Sequence, residues 1–420
     1  MRVGFTLLAA VALLLAQSAR SVTSAAQPYP VSYHAFALAA GTGTVVDRSG
    51  ALVLGSTGLA TTSYTDPHRG TTRSYEVGTW TSPAYATGFG FSELVSSWIA
   101  ETPTGTFIRV SMQAVRADGS PTKWYTMGIW ASGDSDADIL RTSVGGQGDA
   151  DGFVAIDTFF AKDHPMWGYE LGLALYRPVG SSASPAVRRI GAVASDPVNT
   201  KPYLPSATTM TGDIVLGVPA FSQEIHTGEY PEYDSGGEAW CSPTSTSMVV
   251  RYWNSGPSAS DTAYVLAKYP TTSDPEVDYA ARYTFDYHYN GAGNWPFNVA
   301  YAGRFGLDGQ VTQLRSLAEA ERFIKAGIPL VASIAFTSNK LDGFLFKSTA
   351  GHLLVIVGFT KEGNPVVNDP AATSDASVRR TYDRAQFERN WMTSTGGIVY
   401  VIYPRGKALP ANVPGVSANW

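Results

Sequence analysis

Cys241 is the single cysteine of this 420-residue chain, and its setting is that of a nucleophile. It lies in Glu238-Ala239-Trp240-Cys241-Ser242-Pro243, where a polar loop turns into a helix. Ser242 and Pro243 read as the helix start, since proline is tolerated at the first helical position. From Thr244 to Trp253, the residues Met248, Val249, Tyr252 and Trp253 share one apolar stripe at helical spacing. A thiol at a helix N-terminus faces unpaired N–H groups and the positive end of the dipole, which favour the nucleophilic thiolate. One cysteine makes no intrachain disulfide, so it serves either packing, as a small buried hydrophobe, or reactivity.

A thiol nucleophile needs a base, a group that orients the base, and donors for the oxyanion. The histidines downstream of residue 213 are His226, His288 and His352. His352 opens the apolar strand Gly351-His352-Leu353-Leu354-Val355-Ile356-Val357-Gly358-Phe359, a place for a cleft residue or a satisfied edge residue. Asp369 follows in Val366-Val367-Asn368-Asp369-Pro370, where an acid can face back into a cleft or cap a chain reversal. Gln223, in Val218-Pro219-Ala220-Phe221-Ser222-Gln223, offers an amide donor beside the backbone N–H of Cys241; alone it reads equally as a surface amide.

In this order, a Gln, a Cys-Ser-Pro opening a helix, a Gly-His-apolar strand and an Asn-Asp-Pro resemble the bacteriocin-processing, double-glycine peptidases. These are family thirty-nine of the cysteine peptidases, and the likeness is to its secreted "like" branch. The resemblance covers roughly residues 214 to 404 and implies a papain-like fold, with Cys241 as nucleophile, His352 as base, Asp369 as orienter and Gln223 in the oxyanion hole. The chain departs from the family in a long polar insert, Gly228-Glu229-Tyr230-Pro231-Glu232-Tyr233, between Gln223 and Cys241. It also lacks a transporter domain, so the double-glycine substrate is not carried over. Trp240, Asn294 and Trp295 are further candidates for the cleft lining.

Geometry puts one condition on this set. If Glu362-Gly363 form a two-residue hairpin turn, Asp369 pairs opposite Ile356, about 13 Å along the strand from His352 at ~3.3 Å per residue. Contact then needs a bulge, a strong twist or a longer turn. Asn368 points to the other face by strand alternation and is the alternative orienter.

The elements that position these residues form an α+β domain at 213–404: helices first, then strands over Leu330 to Phe336, His352 to Phe359, Pro365 to Asn368 and Gly397 to Tyr403. Ser316 with Glu319, and Asp383 with Gln386, read as capping boxes. Residues 27–185 alternate in short runs split by Gly, Asp, Ser and Pro, which predicts an all-β, sandwich-like domain. A Ser/Ala/Pro/Thr-rich stretch predicts a linker at 186–212, and 405–420 reads as a tail. Arg2, the apolar run Leu7 to Ala16 and Ser24-Ala25-Ala26 predict a signal peptide over 1–26 and a secreted protein.

Lys and Arg number 30 against 35 Asp and Glu, with no basic block, so nucleic acid is not an expected partner. No segment of the mature chain reads as a membrane span. Trp80, Trp98, Trp124 and Trp130 form either a glycan-binding face for cell-wall contact or core. Asp134, Asp136 and Asp138, and the pair Asp149 and Asp151, resemble calcium loops, but Ile139 and Gly145 break the EF-hand pattern. Gly145-Gly146 and Gly148 lack the Lys-Ser/Thr of a phosphate loop. No cofactor or metal is implied. The expected activity is peptide or protein hydrolysis through an acyl-enzyme. The alternatives are a cell-wall amidase, a transglutaminase-like acyl transferase, or an inactive peptidase-like binding protein.

Overall fold

A computed structural model describes residues 30–197, 203–337 and 340–420; the signal peptide expected at 1–26 lies outside them. Residues 30–195 form two antiparallel sheets. One runs in the order Gly152–Ala155, Thr158–Ala161, Glu93–Glu101, Ala186–Ser195, Leu52–Leu54, Thr44–Val46, with Val31–Ala35 also paired to Ala186–Ser195. The other runs Ala60–Thr65, Thr72–Thr81, Met166–Pro178, Phe107–Val115, Pro121–Trp130, with Tyr85–Phe91 added to Met166–Pro178. Leu94, Trp98 and Ile190 of the first sheet meet Val110, Met112, Leu171 and Leu173 of the second in one core.

The second unit carries six helices among the described residues: α1 (Cys241–Tyr252), α2 (Ala259–Lys268), α3 (Glu276–Thr284), α4 (Trp295–Gly303), α5 (Leu317–Lys325) and α6 (Arg384–Thr395). Its antiparallel sheet runs Leu307–Gln313, Ile398–Pro404, Leu330–Phe336, Thr349–Phe359, Pro365–Asn368, Arg379–Thr381, and Ile214–Val215 pairs with Thr349–Phe359. Asp383 caps α6 through Gln386 N at 2.9 Å and Ser316 caps α5 through Glu319 N, but neither cap is reciprocated as a box. Gln386 turns to Asp342 instead, and Glu319 to the Arg315 N–H. Leu307–Gln313 is a strand that the sequence pattern hides. Its buried residues Gln310, Thr312 and Gln313 are polar, because it lies against the first unit rather than in an apolar centre. No described helix is long and apolar enough to cross a membrane.

The two units are not beads on a string. Glu93–Glu101 is buried on both faces: Leu94, Trp98 and Ala100 point into the sandwich, while Val95 and Ile99 join the core of the second unit. Ser97 Oγ accepts the Val311 N–H at 3.1 Å, and Trp98 and Trp130 meet Phe297 of α4 edge-on or tilted at 6.1 and 5.3 Å. Polar ties surround this seam. Arg282 pairs with Asp134 at 2.6 Å, and Asp157 accepts the Trp295 N–H at 2.8 Å.

The linker expected at 186–212 is corrected accordingly. Ala186–Ser195 is an inner strand of the first sheet, and its small residues allow close packing: a Cβ at Gly191 would stand 2.5 Å from Tyr33 Oη. Further on, Ser206 and Thr209 are bound through their N–H groups to the buried Glu388 and Glu321, so 203–212 is a strap along α5 and α6. The tail expected at 405–420 is likewise docked. Ala418 O accepts from Tyr33 N at 2.8 Å, Asn419 is fully buried, and Trp420 meets Phe323 at 5.0 Å.

A shared core should unfold as one body. Trp98→Ala is expected to cost ~3–5 kcal/mol, the range for deleting a buried large aromatic. In urea, far-ultraviolet circular dichroism and exposure of the Cys241 thiol should show the same midpoint, shifted together. Two separate transitions, with only one moved by the substitution, would contradict the shared core.

Candidate active site

α1 begins at Cys241 itself, so Pro243 is its third residue rather than its first. Trp240, in the N-cap position, supplies no side-chain cap to the first-turn N–H groups, and Cys241 itself is half-buried. Trp240 is fully buried and donates its indole N–H to Tyr233 O at 2.7 Å. It anchors the insert from below and does not line a cleft. The insert folds back tightly on itself at Gly237, where a Cβ would stand 2.5 Å from Gln223 O and from the His226 carbonyl carbon. Only glycine fits there.

Across from α1, His352 lies near the start of Thr349–Phe359, opposite Ile334, and is 3% exposed. Its Nε2 lies 2.7 Å from Asp369 Oδ1, and the Cys241 side chain is near enough to add to the interactions that raise its pKa. With Nε2 engaged by the acid, Nδ1 is the ring nitrogen left over. The distance problem is solved by two of the three devices named above. The hairpin turn is longer, with Thr360 N bonded to Asn364 O at 3.0 Å, and a bulge separates Ile356 from Gly358. Val355 therefore pairs with Asn368, which sets Asp369 opposite Leu354 and halves the offset to His352.

Electrostatics follow from this packing. Burial acts to lower the His352 pKa, but the Asp369 charge and hydrogen bond, with those of Cys241, outweigh it and hold the pKa at about 10. Burial acts to raise Asp369, and the His352 charge and hydrogen bond, with the Ala371 N–H and the Tyr382 hydroxyl, hold it below the usual carboxylate range. Tyr382 Oη donates to Asp369 Oδ2 at 3.0 Å. Phe344 and Phe346 stand edge-on to the imidazole at 5.6 and 5.8 Å. Sequence reasoning missed these three aromatics, because nothing in their local pattern marks them as partners of the imidazole or the acid.

Gln223 is 2% exposed. Its Nε2 donates to Glu238 O at 2.6 Å and to Glu224 Oε1 at 3.2 Å, while its Oε1 is buried without a partner. Both N–H groups are thus engaged, the bond to Glu224 being the longer. Glu224, also missed from sequence, senses the His352 charge; burial pushes its carboxyl up against the Gln223 hydrogen bond.

The remaining candidates fall elsewhere. Asn368 faces away from His352, donating to Pro219 O at 2.8 Å and accepting from Arg379 Nε at 2.6 Å. His288 is exposed near Gly145, and His226 pairs with Glu229 and Asp278. Asn294 is a buried N-cap of α4, leaving Trp295 as the half-buried member of its group. A cavity of about 180 Å³ between the units is lined in part by Trp295, Phe160, Gln313 and Glu93, but by none of Cys241, His352, Asp369 or Gln223.

In the first unit Trp80, Trp98 and Trp130 are core, and Trp124 is half exposed, so the four do not make one glycan face. The expected acidic loops are tied to protein partners. Asp134 pairs with Arg282, Asp136 with Arg69 and Asp151 with Arg116, while Asp138 accepts from Gly105 N and Asp149 from the Tyr125 hydroxyl.

Comparison with known proteins places this geometry. No curated protein matches the chain. Among solved structures, one titled "Structure of infectious bursal disease virus Gt strain" matches at 10% identity over 39% of this chain and 32% of that one, with a TM-score of 0.20, too slight to inform the fold. Two family models match in succession: the Peptidase C39 N-terminal domain over residues 30–195, and the Peptidase_C39 like family over residues 215–398. The first match ends where the first sheet ends, the second contains every candidate site residue, and the chain belongs to the peptidase C39-like family.

Proposed function

We propose that the protein is a secreted cysteine peptidase with a papain-like catalytic domain, acting through Cys241, His352 and Asp369. The observation that carries this reading is the His352 imidazole, held between the Cys241 side chain and Asp369 at the mouth of α1. The helix that opens on the thiol, laid against the sheet that supplies base and acid, supports the papain-like assignment. The signal-like residues 1–26 support secretion.

The Cys241 thiolate attacks the peptide carbonyl carbon, forming a C–S bond and moving the carbonyl electron pair onto oxygen. Gln223 Nε2 and the Cys241 backbone N–H receive that oxyanion. As it collapses, the C–N bond breaks and the His352 imidazolium gives its proton to the departing amine. Water then attacks the thioester, His352 takes its proton, and the C–S bond breaks to free the acid. Asp369 keeps the ring aligned and stabilises its positive charge throughout.

Two variants test the reading. Cys241→Ala should abolish hydrolysis of a peptide library while the protein stays folded. Gln223→Ala should reduce turnover by roughly a hundredfold, the scale for losing one oxyanion donor. It should leave alkylation of Cys241 nearly unchanged, because the oxyanion forms only after attack. Hydrolysis that persists in Cys241→Ala would overturn the assignment, and full turnover in Gln223→Ala would remove Gln223 from it.

A further inference from the structure

The insert between Gln223 and Cys241 is held down by a second group of side chains. His226 ends the short turn Glu224–His226, Glu229 follows three residues later, and Asp278 comes from α3. His226 Nδ1 lies 2.9 Å from Glu229 Oε2 and 3.0 Å from Asp278 Oδ2. One ligand atom from each of the three falls within 4.8 Å of the other two. Thr272 Oγ1 adds a further oxygen, 3.0 Å from Glu229 Oε2 and 3.4 Å from the same imidazole nitrogen.

Hydrogen bonding within the protein does not satisfy this group. The side chains of His226 and Asp278 are wholly buried. Among the described residues no Lys or Arg pairs with Glu229 or Asp278, and Asp278 Oδ1 has no hydrogen-bond partner. A buried carboxylate oxygen left unpaired costs free energy that native interiors avoid. One N–H at Nδ1 points fully at one oxygen at a time, yet two carboxylates approach it equally. A cation between the three groups would engage all of them.

We propose that His226, Glu229 and Asp278 form a binding site for a divalent first-row transition ion such as zinc, with Thr272 at its edge. An imidazole nitrogen with two carboxylates suits such an ion, whereas calcium takes six to eight oxygens and has little use for imidazole. The ion links the insert to α3. It thereby fixes the loop that carries Gln223 at one end and the start of α1 at the other, so its role is positional. The site stands on its own geometry and does not depend on the peptidase reading.

The test uses the full chain with Cys241→Ser, which removes the one thiolate that could also take zinc. After chelator treatment, the protein is titrated with Zn²⁺ by calorimetry and with Co²⁺ by visible absorption. The expected result is saturable uptake of one ion, with d–d bands of a nitrogen/oxygen site and a higher melting temperature with metal. Asp278→Asn should weaken uptake at least ~100-fold, more than the ~10–100-fold typical of losing a mere supporting residue. If Asp278→Asn fails to fold, Glu229→Gln at the more exposed member is measured instead. Absence of saturable uptake, or uptake unchanged in the folded variant, would overturn the site and leave the trio held by a shared proton. Tighter binding of Ca²⁺ than of Zn²⁺ would overturn the ion class.

Discussion

On the proposed mechanism His352→Ala should lower kcat/KM for peptide hydrolysis by roughly 10³- to 10⁴-fold, because one side chain would serve as both base and acid. The loss falls mainly on kcat, since the imidazole acts on protons in flight and contributes little to substrate binding. Two controls separate this from general damage. His288 is exposed beside Gly145 and is not paired with Asp369, so His288→Ala should leave hydrolysis unchanged. A folded His352→Ala protein must retain the wild-type circular dichroism. If hydrolysis by that folded variant stays within about tenfold of wild type, less than general acid–base catalysis supplies, another group is the base.

Asp369→Asn is the substitution expected to have the second large effect, and its pH dependence should reveal the origin. The Asp369 charge and hydrogen bond are foremost among the forces that hold His352 at about 10 against burial. With asparagine in place the imidazolium loses its counter-charge, and the His352 pKa falls. Turnover should drop by roughly 10²- to 10⁴-fold near neutral pH, the scale seen when an orienting acid is neutralised. The alkaline limb of kcat/KM, near pH 10 in the wild type, should move to lower pH. An alkaline limb that stays in place would show that Asp369 does not set the His352 charge.

The same shifts bear on stability. A histidine raised from its ordinary value to about 10 stabilises the fold fully below about 6.5, and the contribution is lost as pH rises toward 10. A lowered Asp369 stabilises above its ordinary value and loses that contribution as pH falls through the lowered one. Asp369→Asn should therefore lower the melting temperature more at pH 6 than at pH 10. Asn368→Ala, on the opposite face, should weaken the tie to Pro219 without moving the alkaline limb.

Much of the site was legible in the residue types. A Ser-Pro pair after Cys241 marks a helix start, and a histidine at the lip of an apolar strand stands out at once. What the pattern could not decide was whether Asp369 reaches His352, because that depends on turn length and a single bulged residue. The seam between the units was hidden for a related reason. Ala186 to Ser195 is rich in small residues, which reads as a linker, yet those residues are small because a strand is packed there on both sides. Trp98 and Trp130 likewise read as sandwich aromatics, and their contact with Phe297 depends on a helix some 170 to 200 positions further on. Tyr382 and Phe344 complete the surroundings of the acid and base through tertiary packing alone, with no local signature.

The central claim is that His352, paired with Asp369, activates Cys241 for attack. The rate of alkylation of Cys241 by iodoacetamide, followed from acidic to alkaline pH in wild type and in His352→Ala, measures this directly. The wild type should react fast across a plateau that extends through neutral pH. The variant should react slowly there and rise only toward the pH at which an ordinary thiol ionises, about 8.5. Superimposable profiles for the two folded proteins would contradict the account and leave Cys241 a thiol that His352 does not activate.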